Sequence, residues 1–125
     1  MKIQRSLNLL AILMGLSSLA VAQAQFAGKW QTRISSATGK HSITLNIVVN
    51  EDKVGGTLIL INPDRSEIES GILNAELRGD TLEFGTKVTQ DTFDWRLTLK
   101  KGNKKGSLHG SFREMVIDED VVKQR

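Results

Sequence analysis

Hydrophobic and polar residues alternate along most of the chain from Gly28 onward. The clearest run is residues 93–100, where one face carries Phe93, Trp95, Leu97 and Leu99. Residues 41–50 repeat the pattern, with an apolar face made of Ile43, Leu45, Ile47 and Val49. Because successive side chains of a strand point to opposite faces, this period of two predicts β-strands with one buried face. Residues 54–61 are apolar on both faces, which indicates a strand that is central or covered outside.

Short polar segments separate these runs and are typical of turns. They are residues 50–53, 62–65, 78–81 and 101–106. Each is rich in residues that favour turns, and no segment shows a sustained helical period. We therefore predict an all-β fold, an antiparallel up-and-down meander of seven or eight strands. Closure into a small barrel would remove the two open edges of such a sheet, and an open sandwich is the second possibility.

Two segments add detail to this prediction. The apolar parity of residues 66–77 switches along the segment, from Ile68 and Ile72 to Leu73, Ala75 and Leu77. One extra residue in a strand turns every following side chain to the opposite face of the sheet, so the switch predicts a β-bulge near Gly71. The last stretch, residues 115–125, fits either a short closing strand or a frayed tail.

The inward faces of the strands define a predicted interior. Its members are Ile43, Leu45, Ile47, Leu58, Leu60, Leu82, Phe84, Phe93, Trp95, Leu97, Leu108 and Phe112. An eight-stranded barrel is just wide enough inside to be filled by side chains or to hold one small ligand. Both outcomes stay open: a packed core, or a cavity for a lipid-like or aromatic molecule. If a ligand binds inside, the predicted contacts are Ile43, Leu45, Phe84, Phe93, Trp95 and Phe112.

Residues 1–24 have the features of a bacterial secretory signal peptide. Lys2 and Arg5 precede an apolar stretch, and Ala22-Gln23-Ala24 supplies the small residues of a cleavage site. The apolar stretch is too short for a comfortable transmembrane helix of roughly 20 residues, which disfavours the alternative of an uncleaved anchor. We expect cleavage to leave residues 25–125 as one soluble domain in the periplasm or outside the cell.

Charge and composition exclude several function classes. Lys2 and Arg5 lie in the signal segment, and without them 15 basic residues face 14 acidic ones, so the net charge falls from +3 to about +1. Binding to a nucleic-acid backbone needs a concentrated positive field, so we expect no nucleic-acid partner. The chain contains no cysteine, which excludes disulfides, thiol nucleophiles and thiolate metal sites.

The candidate catalytic residues do not form a recognisable site. Strand parity places His41 inward near a barrel mouth and His109 outward, so the two form neither a metal pair nor a base for a serine nucleophile. Glu67 and Glu69 share a strand face whose neighbours indicate a solvated surface rather than a carboxylate dyad. We therefore expect no enzymatic activity, no metal and no cofactor.

Two exposed motifs are also best explained by turn chemistry. Arg78-Gly79-Asp80 matches an integrin-recognition tripeptide, but glycine before aspartate is ordinary in a hairpin turn. A lysine cluster surrounds another tip, at Lys100, Lys101, Lys104 and Lys105. It could contact an anionic surface, although a solubilising turn is the commoner role of such a cluster.

The stretch "FAGKW", from Phe26 to Trp30, resembles the opening of the calycin superfamily, the lipocalins and their relatives, whose first strand carries a Gly-x-Trp signature. The resemblance extends to the consecutive hairpins and to the glycine-rich strands "GGTL" and "GSLHGSF". The chain departs from full lipocalins in its shorter length and in the absence of both a following helix and disulfides. It also lacks the tyrosines of avidin-type pockets and the disulfide of the periplasmic barrel inhibitors of metalloproteases.

The resemblance implies a lipocalin-like barrel in which Trp30 plugs one end, where Arg113 from the final strands could stack on it. The alternative is that Trp30 is an ordinary core residue and Arg113 is solvated. The resemblance also implies a non-enzymatic exported protein that binds a small apolar ligand in its interior. The alternative is a protein-binding barrel such as a protease inhibitor, in which the segment before Gly28 or a turn inserts into the partner.

Overall fold

In the computed structural model, eight strands follow one another in an antiparallel meander and close into a barrel. The strands are β1 (Gly28–Ser36), β2 (Gly39–Asn50), β3 (Lys53–Ile61), β4 (Glu67–Arg78), β5 (Thr81–Val88), β6 (Asp91–Leu99), β7 (Lys105–Phe112) and β8 (Met115–Gln124). The structure describes residues 22–100, 104–113 and 115–124, so most of the predicted signal peptide lies outside the described residues. In the described part, no helix has the length and apolar character needed to cross a bilayer.

Cross-strand pairs explain why the alternating segments lock into this register. Trp30 lies opposite Leu45 in the β1–β2 hairpin, and Phe84 lies opposite Trp95 in the β5–β6 hairpin. All four side chains point inward, so a slip of one residue would turn the whole apolar set toward water. The hydrophobic pattern therefore fixes the register as well as the strands.

The core contains almost the whole predicted interior. Every predicted lining residue is buried except Phe93, which is half-buried. The core also includes Phe26, Trp30, Ile34, Ile72, Leu99, Ile117 and Val121. Ile117 and Val121 lie on β8, so the final stretch is a closing strand, and the frayed-tail alternative is wrong.

The bulge in β4 is present, but it falls after Gly71. Pairing with β5 shifts between Leu73 and Glu76, and Asn74 adopts a positive φ of 51°. The prediction that Leu73 points inward is therefore wrong, because its side chain precedes the bulge and is 41% exposed. Inward parity resumes only at Ala75 and Leu77, which pack against the core.

The turns alternate between the two ends of the barrel. One end, called the plugged end below, holds the β2–β3 and β4–β5 turns and the segment before Gly28. The other end, called the mouth, holds the β1–β2, β3–β4, β5–β6 and β7–β8 turns. Between β8 and β1 the recorded pairs are Val122–Gln31, Lys123–Trp30 and Gln124–Lys29, all toward the plugged end.

Candidate functional site at the barrel mouth

Trp30 closes the plugged end of the barrel. Its side chain is fully buried, and its Nε1 donates a hydrogen bond of 2.9 Å to the carbonyl oxygen of Phe26. The cation over the Trp30 ring is Lys123, whose Nζ lies 5.0 Å from the ring centroid and donates to the Gln25 carbonyl at 2.6 Å. Partial burial lowers the pKa of Lys123.

The predicted stacking of Arg113 on Trp30 is wrong. Arg113 belongs to the β7–β8 turn, at the mouth, whereas Trp30 lies near the start of β1 at the plugged end. In a meander barrel, consecutive turns lie at opposite ends, so a residue in this turn cannot reach the start of β1. The guanidinium carbon of Arg113 instead lies 5.0 Å from the centroid of the Phe112 ring.

Large side chains occupy the centre of the barrel. Ile43, Leu45, Phe84 and Trp95 are buried there. The indole of Trp95 packs over Gly110, at which an added Cβ would overlap the ring. Its Nε1 donates to the buried Thr86 hydroxyl at 2.9 Å, so the polar atom of this aromatic residue is satisfied inside the core.

A cavity of about 300 Å³ opens at the mouth. Its lining residues are Ser36, Thr38, His41, Asn62, Ile68, Phe112, Arg113 and Met115. They come from the β1–β2, β3–β4 and β7–β8 hairpins, which lie far apart in the sequence and meet only because the barrel closes. Phe112 is the only one of the six predicted ligand contacts that lines this cavity.

His41 organises the polar wall of the mouth cavity. It points inward and is buried, as predicted from its parity. Its Nε2 lies 2.8 Å from the Ser36 hydroxyl and 3.3 Å from the Thr38 hydroxyl, while its Nδ1 lies 3.2 Å from Oδ1 of Asn62. Because both ring nitrogens are occupied, the imidazole links the β1–β2 turn to the β3–β4 turn.

The β3–β4 turn determines the direction of these hydrogen bonds. Nδ2 of Asn62 donates to the Ser66 hydroxyl, which donates to the Asp64 carboxylate at 2.6 Å. The amide oxygen of Asn62 therefore faces His41, and the network assigns the hydrogen to Nδ1 of the imidazole. Hydrogen bonds from the hydroxyl and the backbone N–H of Ser66 lower the pKa of Asp64.

Ile68, Phe112 and Met115 supply the apolar part of the cavity lining, and Phe93 packs against Phe112 without lining the cavity itself. The rings of Phe93 and Phe112 lie 4.7 Å apart between centroids, with a tilt of 46°. Recorded pairing between β6 and β7 ends at Trp95 and Gly110, so these rings meet beyond the end of the ladder. Ile68 and Met115 are half-buried beside them.

The other candidate residues lie elsewhere on the molecule. His109 faces outward, where its Nε2 lies 3.2 Å from the Asp118 carboxylate. Glu67 and Glu69 are both exposed. Within the described residues, no group of three or more histidine or acidic side chains is arranged to hold a metal ion.

The two exposed motifs engage in local ion pairs. Arg78 lies 3.4 Å from Glu76 and 3.5 Å from Glu83, beside the β4–β5 turn. In the lysine cluster, Lys100 binds Asp120 at 2.6 Å, and this pairing lowers the pKa of Asp120. The tip of the cluster, including Lys101, lies outside the described residues.

A larger concavity of about 770 Å³ lies on the outer face of the sheet from β4 to β8. Outward-facing charged side chains line much of it, among them Glu83, Asp94 and Arg96. These groups are solvated, so a small molecule would have to displace their water without gaining much apolar contact. The mouth cavity is smaller, but it combines apolar walls with an ordered set of hydrogen-bonding groups.

Sequence reasoning identified His41 and Phe112 but missed the residues that accompany them. Ser36, Thr38 and Asn62 lie in or beside turns, where serine, threonine and asparagine are expected for local reasons. Nothing in their spacing indicates that they converge on one histidine. The one available signal was the inward parity of His41, because a buried imidazole needs hydrogen-bond partners from neighbouring turns.

No family model, curated protein or solved structure matches the chain.

Proposed function

We propose that this chain is an exported, non-enzymatic β-barrel that binds a small, largely apolar molecule at its mouth. The observation that carries the proposal is the cavity where Ile68, Phe112 and Met115 face the hydrogen-bonded wall around His41. Ligand sites typically combine a mostly apolar lining with a few fixed polar groups, and their volumes begin near ~300 Å³. The large buried side chains at the centre of the barrel favour the mouth over the deeper interior as the binding position.

The proposal extends to family and compartment. A closed eight-stranded meander whose first strand carries Gly28-x-Trp30 supports a relationship with the calycins. Ala22-Gln23-Ala24 supports export to the periplasm or beyond, with cleavage before Gln25. The contacts of Phe26 and Gln25 with Trp30 and Lys123 lie after that cleavage point, so the plugged end would keep them in the mature protein.

The hydrogen bonds of Ser36 support a role in binding over one in catalysis. Its hydroxyl lies 2.9 Å from the Thr38 hydroxyl and 3.3 Å from the Gly39 carbonyl, in addition to its contact with His41. The backbone N–H of Thr38 also donates to it at 3.3 Å. A hydroxyl held by its own turn in this way stabilises the hairpin.

The protease-inhibitor alternative receives less support. Its second form uses a turn, and its first form requires the segment before Gly28 to be free to enter a partner. Phe26 is instead 1% exposed, and the Gln25 carbonyl is held by Lys123. Releasing this segment would expose a phenylalanine and break the hydrogen bond of Trp30, which disfavours the form of the alternative that uses this segment.

Fluorescence titration with phenylnaphthylamine, a neutral apolar fluorophore, tests the proposal. Ile68→Gln places a polar group in the cavity wall, and we expect about three- to tenfold weaker binding. The matched control is Ile59→Gln, which alters a half-buried isoleucine on the outer face of the neighbouring strand and should leave binding unchanged. Absence of saturable binding, or equal loss in both variants, would contradict the proposal.

A further inference from the structure

The lining of the mouth cavity includes one permanently charged side chain. Of the described residues that line it, Arg113 alone bears a permanent charge. The apolar and the hydrogen-bonding lining residues share the cavity with this arginine. We infer that the ligand bound at the mouth carries an anionic head group, a carboxylate, which Arg113 binds. This inference rests on the proposed function and adds the chemical class of the ligand.

The position of Arg113 suits the capture of a planar anion. The residue occupies the β7–β8 turn with a positive φ of 55°, and its guanidinium lies over the face of Phe112. A guanidinium resting on an aromatic ring keeps its N–H groups directed outward in its own plane. That geometry favours two parallel hydrogen bonds to a carboxylate. The contact with the ring already restricts the arginine side chain, so binding of a carboxylate costs less conformational entropy.

A neutral donor lines the same cavity as Arg113. An asparagine amide has two N–H hydrogens, and Asn62 uses one of them on Ser66. The other hydrogen remains for a head group, because Asn62 lines the cavity. An N–H donor of this kind strengthens the binding of an anionic head group, but it cannot neutralise the charge of a cationic one.

The nearest carboxylate of the neighbouring turn is already engaged. Asp64 accepts hydrogen bonds from the hydroxyl and the backbone N–H of Ser66, at 2.6 Å and 2.9 Å. It is therefore turned into its own loop, and it does not line the cavity. A positively charged head group would meet Arg113 with no cavity-lining carboxylate to offset the repulsion.

The size of the cavity restricts the body of the ligand. A volume of about 300 Å³ lies at the small end of ligand sites and suits an aromatic or short aliphatic acid. Ile68, Phe112 and Met115 supply the apolar contacts, and methionine adapts readily to a ring of variable shape. The geometry thus points to a small amphipathic carboxylic acid.

Three probes with one apolar body separate the head-group inference from the proposed function. Phenylbutyrate, phenylbutanol and phenylbutylamine are negative, neutral and positive at neutral pH, and calorimetric titration of the full mature chain gives their affinities. We expect the acid to bind about tenfold or more tighter than the alcohol, and the amine to bind most weakly. Arg113→Gln should remove most of the advantage of the acid and leave the affinity for the alcohol nearly unchanged.

The matched control is Arg65→Gln, which removes an exposed arginine from the β3–β4 turn at the same mouth but outside the cavity lining. Arg113→Lys keeps the charge and loses the planar pair of donors, so it should fall between the native chain and Arg113→Gln. This variant decides the question if Arg113→Gln fails to fold.

The outcomes distinguish the two claims. If the acid binds no tighter than the alcohol, or if Arg65→Gln weakens the acid as much as Arg113→Gln, the head-group inference is overturned and the proposed function stands. If none of the three probes binds and phenylnaphthylamine also fails, the proposed function is overturned together with the inference.

Discussion

At the scale of single residues, packing at the centre of the barrel depends on one glycine beside one tryptophan. Gly110 has inward parity on β7, opposite Trp95 on β6. Any side chain at Gly110 would occupy space that the indole now fills. The glycine therefore makes room for the largest side chain in the centre, whose Nε1 is then within reach of Thr86.

Gly110→Ala should destabilise the fold by about 1–3 kcal/mol, because the added methyl group overpacks the core against Trp95. Urea unfolding followed by tryptophan fluorescence measures the change in the free energy of unfolding. Gly71→Ala is the matched control, since a Cβ at Gly71 meets no heavy atom within 4 Å. Equal stability of the two variants would show that the indole is not packed over Gly110.

The Asp64 carboxylate gives a second residue-level prediction, on pH. Its pKa is lowered from 3.8 chiefly by the hydrogen bonds from Ser66, so the ionised form stabilises the folded turn. That contribution is complete above the unfolded pKa and is lost as the pH falls through the lower folded pKa. The amide proton of Ser66, followed by NMR, should titrate with a midpoint below 3.8.

Removing the hydroxyl of Ser66 tests the cause of this shift. Ser66→Ala eliminates the hydrogen bond that contributes most, so the midpoint for Asp64 should rise toward 3.8. Ser35→Ala, on the outer face of β1, removes a hydroxyl without touching this turn and should leave the midpoint in place. A midpoint that is the same in Ser66→Ala and in the native chain would contradict the assignment.

At the scale of elements, the β-bulge in β4 requires a residue that tolerates a positive φ. Asn74 and Ala75 together lie across from Phe84, so the strand holds one residue more than its partner there. The extra residue takes a positive φ, which asparagine tolerates far better than β-branched residues do. After the bulge, Ala75 and Leu77 regain contact with the core.

Asn74→Val should therefore cost about 1–3 kcal/mol of stability, whereas Asn74→Gly should cost little. Thermal or urea unfolding of both variants gives the comparison. Asn46→Val is the control, because Asn46 is exposed on a regular stretch of β2 where valine is favoured. Similar effects of valine at both positions would mean that the bulge imposes no special backbone at Asn74.

The same strand marks the limit of prediction from the sequence. The parity switch predicts a bulge, because side-chain alternation is a local property of the sequence. The pattern places the bulge only near Gly71, because the choice between Gly71 and Asn74 depends on pairing with β5. The mouth cavity was missed for a similar reason: Ser36, His41 and Asn62 are joined by hydrogen bonds between hairpins, which no local pattern records.

At the scale of the whole molecule, the barrel closes most loosely between its first and last strands. Recorded pairing of β8 with β1 ends at Val122 and Gln31, whereas β8 pairs with β7 along eight successive positions. Continuing the β1–β8 register by three residues would place Glu119 beside Ile34. Glu119 has inward parity between the buried Ile117 and Val121, so this extension would bury a carboxylate against an isoleucine.

We expect Glu119 to limit extension of this ladder toward the mouth. An inward-pointing charge on a closing strand is one of the ways in which sheets limit edge pairing. Glu119→Val should let the ladder extend toward the mouth and raise the free energy of unfolding by about 1 kcal/mol. Hydrogen exchange of the backbone amides at residues 32–36 should slow in the variant.

Glu69→Val provides the comparison for this last prediction. It removes an exposed carboxylate from the outer face of β4, away from the β1–β8 junction, and should leave exchange at residues 32–36 unchanged. A tighter junction should also narrow the mouth, because Ser36 ends β1 and Met115 begins β8 at the cavity itself. Glu119→Val should therefore weaken phenylnaphthylamine binding while it stabilises the barrel. Faster exchange, or tighter binding in this variant, would show that Glu119 does not hold the junction open.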